Sequence, residues 1–329
     1  MAPSYLRLKA TVMLIRAISR LTRKWPAPAP DHVLHIKARD GHGIKVHVYE
    51  PREMTQEQKQ TARVVINMHG SGFVLPCHGE SDAFARRIAD EANVIVYDVA
   101  YRLAPEWPFP HAYEDVEDVL SYLATNLSPQ SRLVLSGFSA GGNLALTVSS
   151  NAPIDLRNKV DAVITFYPAD LSTPFGTRIA PEAPKDAPYS LGIPHKFQKL
   201  FNDAYLGLSN QVEWLNDGGD FTRPSVKKDP RMSMSSTQEQ IEAMPDTVVV
   251  FTGGRDSLVP EMENFVEQLR TARTRAQASG QQGPSERKIV YKMFEGRDHA
   301  WDINMNKTGD SEARDEAYGA VVDILKQLR

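Results

Sequence analysis

The chain of 329 residues is 41% hydrophobic and 24% charged, with a formal net charge of −3. That balance offers no electrostatic case for a nucleic-acid partner, and the length allows roughly three-quarters of the unfolded surface to be buried. A single cysteine, Cys77, excludes an intrachain disulfide and fits a reducing, cytoplasmic compartment.

The N-terminal stretch MAPSYLRLKATVMLIRAISRLTRKW holds a short apolar run, Val12 to Ile15. Arg16, Arg20, Arg23 and Lys24 interrupt what the core of a secretory signal would keep apolar. Nothing approaches the ~20 apolar residues of a membrane span. Leu6, Met13, Ala17 and Leu21 recur near helical spacing with basic residues between them, so an amphipathic helix packed on the protein's own body is expected, with membrane-surface binding as the rival.

Residues 33–50 join an Asp-Gly-His-Gly turn to alternating Ile44, Val46 and Val48, the pattern of a half-buried antiparallel hairpin. Short apolar runs follow at 63–68, 94–99, 132–136, 160–167, 247–251 and 288–294. Helical stretches such as DAFARRIADEA, AYEDVEDVLSYLATN and EMENFVEQLRTAR lie between most of them. Continuous apolar strands alternating with helices predict an α/β fold with a mainly parallel sheet covered on both faces. Residues 171–240, rich in Pro, Ser, Thr, Asp and Asn, are too long for a simple connection and read as an insertion or lid on a single domain. RTRAQASGQQGPSERK, residues 273–288, reads as a surface loop.

VLSGFSAGGNLAL, residues 134–146, runs from a strand pattern through Gly137-Phe138-Ser139-Ala140-Gly141 into a helix pattern. A nucleophile elbow needs this context: the serine sits at a sharp turn, and the flanking glycines let backbone and helix approach without a side-chain clash. A lone G-x-S-x-G is equally an ordinary glycine-rich turn. Upstream, His69-Gly70-Ser71-Gly72 follows a strand directly, where small residues let backbone amides face an oxyanion. Downstream, Asp256 follows the run 247–251 and His299 follows the run 288–294, the serine, acid, histidine order of such enzymes. Both sit at strand C-terminal ends, where open α/β sheets hold their sites. Asp256 could merely cap the helix near Pro260, and Asp298 or Asp302 are rival acids. Asp256 ranks first because a sequence neighbour is poorly placed to orient its own histidine's ring. His69 is expected to brace its loop.

HGSGF, VAYRLAPEWPFPHAYED, GFSAGGNLA and DPRMS together resemble the hormone-sensitive-lipase-like carboxylesterases of the α/β-hydrolase fold, over roughly residues 33–302. The resemblance implies an eight-stranded-type sheet. It implies Ser139 as nucleophile, Asp256 as acid, His299 as base, and the amides of Ser71, Gly72 and Ala140 as oxyanion donors. It also implies a cap from residues 1–30 and 171–240, and no metal or organic cofactor. Two positions depart from the family: Ser71 stands where a glycine is usual, and Phe138 replaces an aspartate. Phe73, Phe138 and Trp301 are candidates for a pocket wall, packing being the alternative for the last two. Arg102 and Glu106 are expected to form a structural polar network, since buried charges must be paired, and Cys77 to act as a small apolar residue.

The chemistry expected is hydrolysis of a small to medium, largely apolar carboxylic ester through an acyl-enzyme. The triad alone does not define the leaving group, so a thioesterase or an acyltransferase on a secondary-metabolite acyl chain is the alternative. A non-catalytic receptor, as plant gibberellin receptors are on this fold, is disfavoured by the retained His299.

Overall fold

The computed structural model describes residues 3–22, 26–128, 130–171, 195–207, 229–235, 237–278, 287–304 and 308–328. In chain order the elements are α1 (Pro3–Thr22), the hairpin β1 (His32–Lys37) and β2 (Gly43–Tyr49), α2 (Gln56–Thr61), β3 (Val64–Met68), α3 (Asp82–Ala92), β4 (Ile95–Ala100), α4 (His111–Asn126), β5 (Leu133–Phe138), α5 (Ala140–Asn151) and α6 (Ile154–Arg157). They continue with β6 (Val160–Phe166), α7 (His195–Tyr205), α8 (Gln238–Glu242), β7 (Thr247–Gly253), α9 (Val259–Ala278), β8 (Lys288–Phe294), α10 (Trp301–Asn304) and α11 (Asp310–Gln327).

The strands form one eight-stranded sheet in the order β1-β2-β4-β3-β5-β6-β7-β8. Only β1–β2 and β2–β4 pair antiparallel; every pairing from β4 to β8 is parallel. β3, β5 and β7 are buried at every position, which explains their unbroken apolar runs: helices cover both faces, so neither side of the strand needs polar residues. The two-residue side-chain period divides those runs between two cores. Ile66, Leu135 and Val250 pack with Leu120, Leu144 and Phe265 of α4, α5 and α9. Val65, Val134 and Val249 pack on the opposite face with Phe84, Ile88 and Val321 of α3 and α11.

Two expectations are corrected. The helix near the N-terminus forms, but its buried residues are Leu8 and Val12, whereas Leu6, Met13, Ala17 and Leu21 point to solvent. The anchor is polar as well as apolar: Leu8 and Val12 join the core, and Arg16 donates to the carbonyls of Val74 (2.9 Å) and Ala104 (2.6 Å) and pairs with Glu106 at 2.9 Å. The loop expected at 273–288 begins later, because α9 continues to Ala278; residues 279–286 lie outside the described residues. α11 was not anticipated from the sequence; its Ala317, Val321 and Leu325 complete the second core. Of the insertion at 171–240, residues 195–207, which include α7, and the stretch 229–240 apart from residue 236 are described beyond its first residue, and the rest lies outside the described residues.

Candidate active site

The turn between β5 and α5 brings Ser139 to φ 50° and ψ −114°, a strained conformation for a residue with a Cβ. Glycine is required on both sides. A Cβ on Gly137 would meet the Gly141 carbonyl oxygen at 2.3 Å, and one on Gly141 would meet the Met68 carbonyl oxygen at 2.2 Å. These glycines pack the start of α5 against the end of β3, setting Ser139 beside the loop that follows β3.

In that loop Gly72 (φ 56°) and Phe73 (φ 62°) are left-handed. A directed relay holds the turn: the Phe73 amide donates to Ser71 Oγ (2.8 Å), Ser71 Oγ lies 2.7 Å from the Tyr101 hydroxyl, and that hydroxyl donates to the His69 carbonyl at 2.7 Å. Because Tyr101 spends its proton on His69, Ser71 must donate to Tyr101. The Ser71 hydroxyl is therefore committed within the loop, which lets the loop keep its shape without the usual glycine. His69 stacks on Tyr101 at 4.4 Å and 8°, bracing the loop as expected. Among the described residues no acceptor takes the amide hydrogens of Ser71, Gly72 or Ala140, the last being the first residue of α5.

The loops after β7 and β8 carry the other two groups. Gly253 lets them touch, since a Cβ there would lie 2.5 Å from the Arg297 carbonyl oxygen, and the Arg255 amide donates to that same carbonyl at 2.9 Å. His299 Nδ1 stands 2.6 Å from Asp256 Oδ2, and His299 Nε2 stands 2.9 Å from Ser139 Oγ. The carboxylate acceptor places the proton on Nδ1 and leaves the Nε2 lone pair toward the serine hydroxyl. Asp256 also accepts the Leu258 amide on Oδ1 at 2.9 Å, so it caps the approach to α9 while its other oxygen holds the ring. Both readings of that residue describe one geometry.

The rival acids are engaged elsewhere. Asp302 accepts from the hydroxyls of Tyr167 (2.5 Å) and Tyr318 (2.9 Å), while Asp298 faces Arg255 at 3.7 Å. Burial pushes the Asp302 carboxyl up to about 6, against the two tyrosine hydrogen bonds that lower it. Tyr167 was missed from the sequence. Its ring lies 4.7 Å from that of His299, and its left-handed backbone (φ 39°) ends β6 at the same sheet edge. The hint was its position as the last residue of the apolar run 160–167.

A pocket opens at Ser139, lined by Gly72, Phe73, Leu171, Phe201, Asn202 and Leu258 among others. Phe201 and Asn202 come from α7, inside the region 171–240 expected to form the cap, but neither was singled out by the sequence. Phe73 lines the pocket, but Phe138 and Trp301 do not. Phe138 is fully buried and stacks on Phe166 at 4.6 Å, and Trp301 packs on Phe294 at 4.7 Å. A side chain just before a strand-end nucleophile points under the sheet edge, so packing wins over lining. The anticipated Arg102–Glu106 network divides in two: Arg102 binds buried Asp115 and Asp40, whereas Glu106 binds Arg16 of α1. Cys77 is buried, as expected.

A family model described as α/β hydrolase fold matches residues 65–283, more than half of the chain. Among curated relatives, an arylacetamide deacetylase of Oryctolagus cuniculus is 32% identical over 153 residues, 43% of this chain and 37% of that protein. An ethyl acetate hydrolase of Pseudomonas putida is 34% identical over 132 residues, 38% of this chain and 40% of that protein. A hormone-sensitive lipase of Mus musculus is 29% identical over 161 residues, 45% of this chain and 21% of that protein. The chain thus spans well under two thirds of the length of these relatives. A thermostable carboxylesterase from a metagenomic library superposes with a TM-score of 0.67 at 23% identity, covering 99% of this chain and 98% of that one, a likeness of fold.

Proposed function

The chain belongs to the family of the α/β-hydrolase fold, and from that premise we propose that it is a serine hydrolase cleaving carboxylic esters through an acyl-enzyme, with Ser139 as nucleophile, His299 as base and Asp256 as acid. The observation that carries the reading is the unbroken pair of hydrogen bonds from Asp256 Oδ2 through both ring nitrogens of His299 to Ser139 Oγ, 2.6 and 2.9 Å. The names of the relatives, an ethyl acetate hydrolase and a hormone-sensitive lipase among them, support the same class.

In this reading His299 Nε2 takes the Ser139 proton as Oγ attacks the ester carbonyl, and Asp256 stabilises the imidazolium that forms. The uncommitted amides of Ser71, Gly72 and Ala140 receive the oxyanion. His299 then protonates the leaving alcohol, and water repeats the steps on the acyl-enzyme. The strained turn at Ser139 holds Oγ toward the pocket before substrate arrives, so little reorganisation is left for the reaction itself. α7 covers the pocket with Gln198, Phe201 and Asn202, Phe201 lying over Gly72, and α1 packs against α7. The apolar lining favours an ester with small to medium apolar groups.

Incubation with a fluorophosphonate probe, followed by assays on a panel of acyl esters, lactones and acyl thioesters, tests the proposal. The native protein is labelled at Ser139, and Ser139→Ala loses labelling and about 10³-fold or more in kcat. Near-normal turnover by that variant overturns the assignment.

A further inference from the structure

A cluster remote from the triad is left without a role. His47 on β2 lies directly opposite Asp98 on β4, and Asn67 on β3 lies opposite Asp98 on the other side. These three share one row on the face that packs against α3. His78, from the segment between β3 and α3, reaches over this row. We propose that His47, His78 and Asp98 form a binding site for one divalent transition-metal ion of the zinc class, with water completing its coordination.

The geometry supports it in three ways. One ligand atom from each residue lies within 4.8 Å of the other two. Bonds of ~2.0–2.2 Å set tetrahedral ligand atoms about 3.4 Å apart, and His78 Nε2 and Asp98 Oδ2 already stand at 3.3 Å. Two of the three donors are also unspent: Asp98 Oδ2 and His47 Nδ1 are buried without a hydrogen-bond partner among the described residues, while His78 Nε2 lies 3.0 Å from the Asp98 carbonyl oxygen, a contact it would exchange for the ion. Leaving such atoms unpaired costs free energy that a bound cation would recover. Finally, the acid is oriented from behind, because Asp98 Oδ1 accepts from Asn67 Nδ2 (2.7 Å) and Ser81 Oγ (3.2 Å), turning Oδ2 toward His78. Outer partners of this kind fix metal-binding carboxylates.

The donor set, two imidazoles and one carboxylate, suits zinc-like ions rather than calcium or magnesium, which prefer oxygen. The ion would tie β2 and β4 to the segment that carries Ser71 and Gly72, steadying the loop beside Ser139 from below. It takes no part in the acyl-transfer steps, so the proposal stands independently of the esterase reading.

The full chain, stripped of metal with a chelator, is titrated with Zn2+ by calorimetry and with Co2+ by visible absorption. One Zn2+ binds per chain, the Co2+ form develops the intense ligand-field bands of a four-coordinate site, and the melting temperature rises by several degrees in excess Zn2+. His47→Gln and His78→Gln each weaken Zn2+ binding by about 100-fold or more, whereas the control His32→Gln/His35→Gln, on exposed β1, leaves it unchanged. The Co2+ spectrum needs no variant, so it decides the matter even if a variant folds poorly. A Co2+ spectrum identical to that of the free aquo ion overturns the proposal, as does Zn2+ affinity equal in the native chain and in the two histidine variants.

Discussion

Replacing Asp302 by Asn separates two roles that an acid near the His299 loop could play. The Asp302 carboxyl is buried and raised to about 6, chiefly by desolvation. In the unfolded chain an aspartate ionises near its ordinary ~3.9. Between those values the folded protein keeps the proton and the unfolded chain has lost it, so stability falls as pH rises through the window from ~4 to ~6. Two units at 1.36 kcal/mol each make the cost about 3 kcal/mol, carried in full at neutral pH. Asn can still accept from Tyr167 through its oxygen and donate to the Tyr318 oxygen through its amide, and it has no charge to desolvate. Urea unfolding of both proteins from about pH 4 to pH 7 should therefore show Asp302→Asn gaining about 3 kcal/mol on the native chain across that range. Turnover should stay within about tenfold, because Asp256, not Asp302, bonds the His299 ring. Stability curves that run parallel with pH would refute the desolvation account, and loss of activity on the scale of Asp256→Asn would refute the assignment of the acid.

Ser71→Gly breaks the relay through Tyr101 and should cost about 1–2 kcal/mol of stability by thermal melting while lowering kcat much less than ~100-fold, the scale of losing one oxyanion donor; a ~100-fold loss means the hydroxyl meets the substrate. Phe201→Ala removes the ring that a Cβ on Gly72 would meet at 2.5 Å, and should shift the kcat/KM ratio of hexanoyl over acetyl esters upward by about tenfold; an unchanged ratio removes α7 from the acyl pocket. Arg16→Ala releases the Val74 and Ala104 carbonyls and the Glu106 carboxylate together, and should cost about 1.5–3 kcal/mol and raise KM for larger esters more than for acetates; vesicle co-sedimentation of the native chain would instead favour a membrane role for α1.

Strand and helix order was legible in the sequence because burial on both faces demands continuous apolar runs, and a helix between two of them leaves its own period. Ser139, Asp256 and His299 could be picked out for the same reason: each follows such a run, and parallel strands bring their ends to one edge. Tertiary packing decided what local patterns do not encode. The buried side of α1 is set by which of its apolar residues, Leu8 and Val12, meet the core and by where Arg16 finds carbonyls about sixty and ninety residues away in the chain, neither of which the helix's own pattern reveals. Phe138 became core rather than wall because the turn directs it under the sheet. Phe201 and Asn202 reached the pocket only through the docking of α7. The His47–His78–Asp98 cluster depends on strand register, since β2 and β4 must pair with His47 opposite Asp98 before three residues scattered over about fifty positions become neighbours. Local periodicity reports which face of an element is apolar; what that face meets is fixed by contacts distant in sequence, and these exist only once the chain has folded.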